Sequence, residues 1–230
     1  MAKPAHSKSQ SKGKSQGKGK AQGRAGAPVE ADPVEVMLDL VATEGWRGLT
    51  LARIAEASGL RLSDLYLQYG AKNDLLAAYA RRIDAAMLAA LGDAPAEAAA
   101  TPDAAKDRLF EAVMARLDAL APHKAAVRVL ARELPGDPAA LLCFLYGGLR
   151  RGLDWTLAAA ALDAAGPRGL LRRKLLGLVY LDTLRVWLKD DSADLGPTMA
   201  RLDKRLSQAI GPLSRPGFFS HMRDKMADAA

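Results

Sequence analysis

The chain has 230 residues, half of them hydrophobic, which is enough for a sizeable core, and its few aromatics beside abundant Ala and Leu favour helix over sheet. One cysteine, Cys143, excludes an internal disulfide, and no apolar run of roughly 18 residues exists to span a membrane. The start lacks the apolar stretch of a secretory leader, so a cytoplasmic protein is expected.

Residues 1–27 hold Lys3, Lys8, Lys12, Lys14, Lys18, Lys20 and Arg24 and no acid. The net charge of +7 is therefore all in this segment, and the rest of the chain balances to zero. With Gly, Ser, Gln and Ala between the lysines and no large apolar residue, residues 1–27 read as a disordered basic tail. Such a tail either lies along a polyanion such as DNA or only solubilises the chain.

From Pro33 onward the pattern is helical. Val34, Met37, Leu38 and Val41 fall on one face. Gly45 stops that helix and Trp46 follows as a core plug. Thr50 caps a short second helix carrying Leu51, Ile54 and Ala55, Ser58-Gly59 turns the chain, and a third short helix runs from about Arg61 to Tyr69. After Gly70 a long fourth helix carries Leu76, Tyr79, Ile83 and Met87 on one stripe, and Gly92 to Pro102 reads as a linker. Prolines at 102, 122, 138 and 167 sit where a helix starts, predicting helices near 103–120, 122–134, 138–165, 168–189 and 194–210. The expected architecture is all-α: a helix-turn-helix head (28–85), a larger antiparallel helical body (86–211) and a C-terminal extension (212–230).

The helix 168–189 has too many apolar positions for one stripe. Leu171, Leu175, Leu178, Leu181 and Trp187 cannot share a core with Val179, Leu184 and Val186. The next helix offers Leu195, Met199, Leu202, Leu206 and Ile210 as a cleaner stripe. Together they predict burial on two sides, one of them either in a homodimer interface or under a folded-back 217–228 segment.

The run LTLARIAEASGLRLSDLYLQYGAKNDLL (49–76) carries the most information. Two short helices joined at Gly59 cross steeply, Ile54, Ala55, Leu60 and Leu65 fill the space between them, and the outer face of the third is free to enter a major groove about 12 Å wide. This run resembles the DNA-binding head of the TetR/AcrR-type helix-turn-helix regulators, over residues 34–85. The resemblance implies a transcriptional repressor that binds double-stranded DNA at a pseudo-palindromic operator as a dimer and holds a small apolar ligand in its body. It implies that Thr50, Tyr66 and Lys72 contact phosphates and that Arg61, Ser63, Asp64 and Gln68 face base edges, Arg61 suited to guanine and Gln68 to adenine. The sequence departs from the family at Leu62, where lysine is usual, at Asp64, where a small or hydroxyl residue is usual, and at Leu67, where histidine or tyrosine is usual. An acid on such a helix faces phosphate charge unless it accepts from a cytosine amine.

A second stretch, DDSADLGPTMARLDKRL (190–206), is similar to the end of the coenzyme Q biosynthesis proteins that use this fold to bind lipids. That resemblance implies a quinone- or isoprenoid-binding accessory protein ending in a membrane-contacting helix. Phe218, Phe219, Met222 and Met226 lie roughly on one side of a segment that also carries Arg223 and Lys225. A docked, frayed terminus accounts for the same pattern.

No catalytic constellation and no cofactor motif is present. His6, His123 and His221 have no metal-ligand spacing, so no metal is expected; His123 reads as a first-turn surface residue and Cys143 as a small buried apolar one. Phe110, Met114, Phe144, Trp155 and Tyr180 are the candidates to line a ligand pocket, and at helical spacing they serve equally as core. Asp182 and Arg185 are placed to pair along one helix.

Overall fold

The computed structural model describes residues 31–93 and 101–214. The basic tail 1–27 and the 217–228 segment lie outside the described residues. Every regular element described is helical, as the composition demands.

Four helices follow the order read from the sequence: α1 (Pro33–Glu44), α2 (Leu51–Ser58), α3 (Leu62–Gln68) and α4 (Lys72–Leu91). Asp32 caps α1 by accepting from the Val34 N–H at 3.0 Å, ahead of Pro33. Val34, Met37, Leu38 and Val41 are all buried, as the periodicity requires. Arg82 of α4 reaches back to the Asp32 carboxylate and to Glu35, 3.3 Å away, tying α4 to the start of α1.

The body comprises α5 (Pro102–Leu120), α6 (Lys124–Glu133), α7 (Pro138–Cys143), α8 (Arg150–Ala159), α9 (Gly166–Trp187) and α10 (Gly196–Ser214). Short 3₁₀ turns at Ala121–His123 and Leu134–Gly136 flank α6, and a π-turn at Phe144–Leu149 joins α7 to α8 without a break. At the centre lies α5, with Ala105, Leu109, Ala112, Val113 and Leu117 fully buried against α4, α8, α9 and α10. Arg116 of α5 and Asp84 of α4 form a buried ion pair, with the guanidinium 5.6 Å from the centre of the Tyr180 ring. α9 and α10 run antiparallel: Arg172 donates to the Leu213 carbonyl at one end, and Arg201 and Arg205 hold Asp182 further along. The loop between them is organised by Asp190, which accepts from the Ser192 and Thr198 hydroxyls at 2.5 and 2.6 Å; these hold its carboxyl down at about 2.

Head and body meet at Trp46, fully buried as expected. The Glu133 carboxylate, at the end of α6, accepts from the backbone N–H of Trp46 (2.9 Å) and of Arg47 (3.2 Å). The indole N–H donates to Asp137 at 3.3 Å, and Lys72 donates to the Trp46 carbonyl at 2.9 Å with its ammonium 4.5 Å from the indole centre. Gly45 makes the approach feasible: its φ is +90°, and a Cβ there would lie 3.1 Å from a Glu133 oxygen.

Several expectations need correction. The helix expected over 138–165 ends at Ala159, because Ala161 takes φ +54° and the N–H of Leu162 bonds back to the Leu157 carbonyl at 2.9 Å. This is a Schellman turn built without glycine, drawn closed by the burial of Leu162. Trp187 lies in the core, and so do Leu202 and Leu206 of the supposed interface stripe; the face of α9 left open is Leu171, Leu178 and Leu181. Asp182 pairs across to α10 and not along α9 with Arg185. Cys143 is exposed, and His123 packs edge-on to Tyr79 with Nε2 3.2 Å from Glu35.

Two outcomes follow. Ala161→Gly relieves the left-handed strain and raises stability by about 0.5–1 kcal/mol, read from the urea midpoint. Glu133→Ala orphans the two N–H groups of the Trp46 loop and costs about 1–3 kcal/mol in the same assay, while Glu133→Gln keeps part of the loss back.

Candidate nucleic-acid interface

The interface is built from α2, its turn and α3. Thr50 is the N-cap of α2, its hydroxyl accepting from the Arg53 N–H at 3.2 Å. At the other end Gly59 takes φ +71°, with its N–H bonded to Glu56 and the Leu60 N–H bonded to Ala55 at 3.0 Å. That Schellman turn throws α3 across α2. Leu65 is the buried residue of α3, fully enclosed with Ile54 and Ala55, while Leu60 is half-buried. With one inward anchor at 100° per residue, the positions opposite Leu65 are Ser63 and Leu67; Leu62 and Tyr66 form one flank, and Arg61, Asp64 and Gln68 the other.

Of the residues expected at base edges, Arg61, Asp64 and Gln68 share one flank of α3 and Ser63 lies on its outer face, and their contacts change what they have to offer. Arg61 and Asp64 form a bidentate ion pair, Nε to Oδ2 at 2.8 Å and Nη2 to Oδ1 at 2.9 Å. The guanidinium holds the Asp64 carboxyl below its usual range, and the Ser63 hydroxyl donates to Oδ1 at 3.3 Å. Gln68 stands exposed. Among the residues expected at phosphates, Tyr66 is open to solvent, Thr50 is occupied with its cap, and Lys72 is bent onto Trp46.

Leu62 and Leu67, two of the positions where the sequence departs from the family, are 49 % and 84 % exposed, as Leu65 being the inward residue of α3 requires. The charge of the surface is also matched locally. Arg53 is held by Glu44 at 2.8 Å and Glu56 at 3.4 Å, Arg82 by Asp32 and Glu35, and Arg61 by Asp64.

In the body, Phe110, Met114 and Phe144 are half-buried against the core, Tyr180 is buried beside Arg116, and Trp155 is 46 % exposed. An open groove of about 460 Å³ lies elsewhere, lined by Asp182, Arg185, Lys189, Asp190, Asp191 and Arg201. Among the described residues no cluster of His, Cys, Asp or Glu is disposed to hold a metal ion, and no helix is long and apolar enough to cross a membrane.

No protein-family model matches the sequence, and no curated protein matches it. Solved structures do. A TetR transcriptional regulator from Nitrosomonas europaea ATCC 19718 is similar with 24% identity, 77% of this chain and 95% of that one covered, and a TM-score of 0.57. A TetR transcriptional regulator from Rhodococcus sp. RHA1 is similar with 16% identity, coverage of 76% and 92%, and a TM-score of 0.52. The arrangement of three helices at the head and a larger helical body is thus the TetR-type fold.

Proposed function

We propose that the protein is a DNA-binding transcriptional regulator, a ligand-responsive repressor that binds a pseudo-palindromic operator as a homodimer. The observation that carries this reading is the presentation of α3: one buried anchor, Leu65, and an outer face left open behind a tight turn. A helix held this way fits the width of a major groove. The two solved structures named above are transcriptional regulators. Residues 28–85 act as the reading head and 86–211 as the ligand-binding and dimerising body. Tyr66 and the Thr50 end of α2 meet phosphates, Lys72 reaches one on leaving Trp46, and Arg61, Ser63, Asp64 and Gln68 meet base edges. Because Arg53, Arg61 and Arg82 are held by carboxylates of the head, the seven cations of residues 1–27 supply much of the sequence-independent attraction.

The body dimerises through the open face of α9, where Leu171, Leu178 and Leu181 are exposed beside Met199 of α10. An apolar strip of this kind favours association, and two-fold symmetry then presents two copies of α3 to successive turns of one duplex. A small apolar ligand in the body, with Phe110, Met114, Phe144, Trp155 and Tyr180 as its contacts, would act on that spacing.

Selection from a random duplex library with the full-length protein at moderate salt is expected to enrich a motif with two-fold symmetry. Arg61→Ala then loses about 1–3 kcal/mol on the selected site. Failure to enrich any motif overturns the reading. Sedimentation at micromolar concentration is expected to show a dimer that Leu178→Glu dissociates. A monomeric wild type removes the dimer and the palindrome with it.

A further inference from the structure

Resting on the proposal that α3 enters DNA, we infer that Asp64 is a positioning residue for Arg61: it grips one edge of the guanidinium so that the opposite edge reads guanine. A guanidinium carries five N–H donors in a rigid plane. Asp64 takes one from Nε at 2.8 Å and one from Nη2 at 2.9 Å, as a parallel pair. What remains is the second N–H of Nη2 and both of Nη1. One from each nitrogen points the same way from the far edge, and this fork matches the O6 and N7 acceptors of guanine in the major groove.

Three further observations favour this role. Arg61 is the N-cap of α3, and its side chain is 82 % exposed, so little besides Asp64 limits its rotamers. Fixing a long side chain before binding lowers the entropy lost on binding. The Asp64 carboxylate is itself steadied by the Ser63 hydroxyl at 3.3 Å, so the grip extends over three side chains. The pair also resolves the presence of an acid on a helix that faces phosphates, because the bound guanidinium cancels its charge locally. An exposed pair of this spacing adds little to stability, which leaves orientation as its use. In this role Asp64 acts through Arg61 and not by accepting from a cytosine amine itself.

The test turns on a sign. If Asp64 were only a charge at the interface, removing it would tighten binding to every duplex, since a negative group leaves a polyanion's surface. If it positions Arg61, removing it weakens the selected site alone. Duplex selection and titration are run with full-length wild type, Arg61→Ala, Asp64→Ala and Asp64→Asn, each checked for unchanged helicity and urea midpoint. The wild type is expected to enrich a motif with one dominant guanine, and Arg61→Ala to lose about 5- to 100-fold of the preference there. Asp64→Ala should lose at least about 5-fold at the same guanine, with binding to unrelated duplex unchanged or tighter, and Asp64→Asn should fall between. Asp64→Ala that keeps the guanine preference, or that tightens selected and unrelated duplexes alike, overturns the inference. So does a lost preference for cytosine at another position, which would make Asp64 a direct reader. A wild-type motif that Arg61→Ala leaves unaltered overturns the inference while leaving DNA reading intact. A wild type that enriches nothing overturns both.

Discussion

Two backbone N–H groups, those of Trp46 and Arg47, end on a carboxylate 87 and 86 residues further along the chain. The rest of the molecule is arranged around that contact. Helices of 12, 8 and 7 residues do not hold themselves in water, and three of them enclose too little apolar surface to stand apart. The head therefore borrows its rigidity from α4, which runs on into the body, and from the α6–α7 junction, which supplies Glu133 and Asp137 to the two sides of Trp46. Because Trp46 and Arg47 lie in the short loop that leads into α2, the placement of α2 and then of α3 is inherited from the body. Any displacement of the α6–α7 junction pulls first on this loop.

The same economy governs charge. Arg53, Arg61 and Arg82 of the head are spent on nearby carboxylates, and Lys72 on a carbonyl and an indole face. These bonds define side-chain directions at the cost of long-range attraction. The counterpart is residues 1–27, where all seven charges have one sign. On the proposed function, shape and attraction are thus assigned to different parts of the chain, and salt should act on the second far more than on the first.

Much of the fold was legible. Where apolar residues recur at helical spacing and a capping residue precedes them, as at Asp32, Thr50 and Thr101, helices begin within a residue or two of expectation. The tight turn at Gly59 announced itself through its glycine. The turn at Ala161 did not, since its left-handed residue carries a side chain and its cause, the burial of Leu162, is tertiary. Apolar character misled at the terminal helix pair, where Leu202, Leu206 and Trp187 looked free for a partner and are core. At the candidate interface the sequence offered single residues but not their pairing. Residues 61 and 64 are one turn apart on a helix, so their meeting was available from spacing, yet each was considered against DNA and not against the other.

The π-turn at Phe144–Leu149 holds one residue more than an α-helical turn needs for the same rotation. That surplus fixes the phase of everything after it. Gly152 now faces the buried Arg116 and Asp84, and a Cβ there would lie 2.7 Å from the guanidinium and 2.9 Å from the carboxylate. In an unbroken α-helix the preceding residue would occupy that bearing. Arg151, which now reaches Asp84 from a partly exposed position with Nε at 3.7 Å, would be turned inward and bring a second guanidinium into the packed core beside that of Arg116. A single extra residue in one turn thus sets the net charge of the interior, and any one-residue insertion or deletion between Pro138 and Gly152 is felt first as an electrostatic fault between α4 and α5.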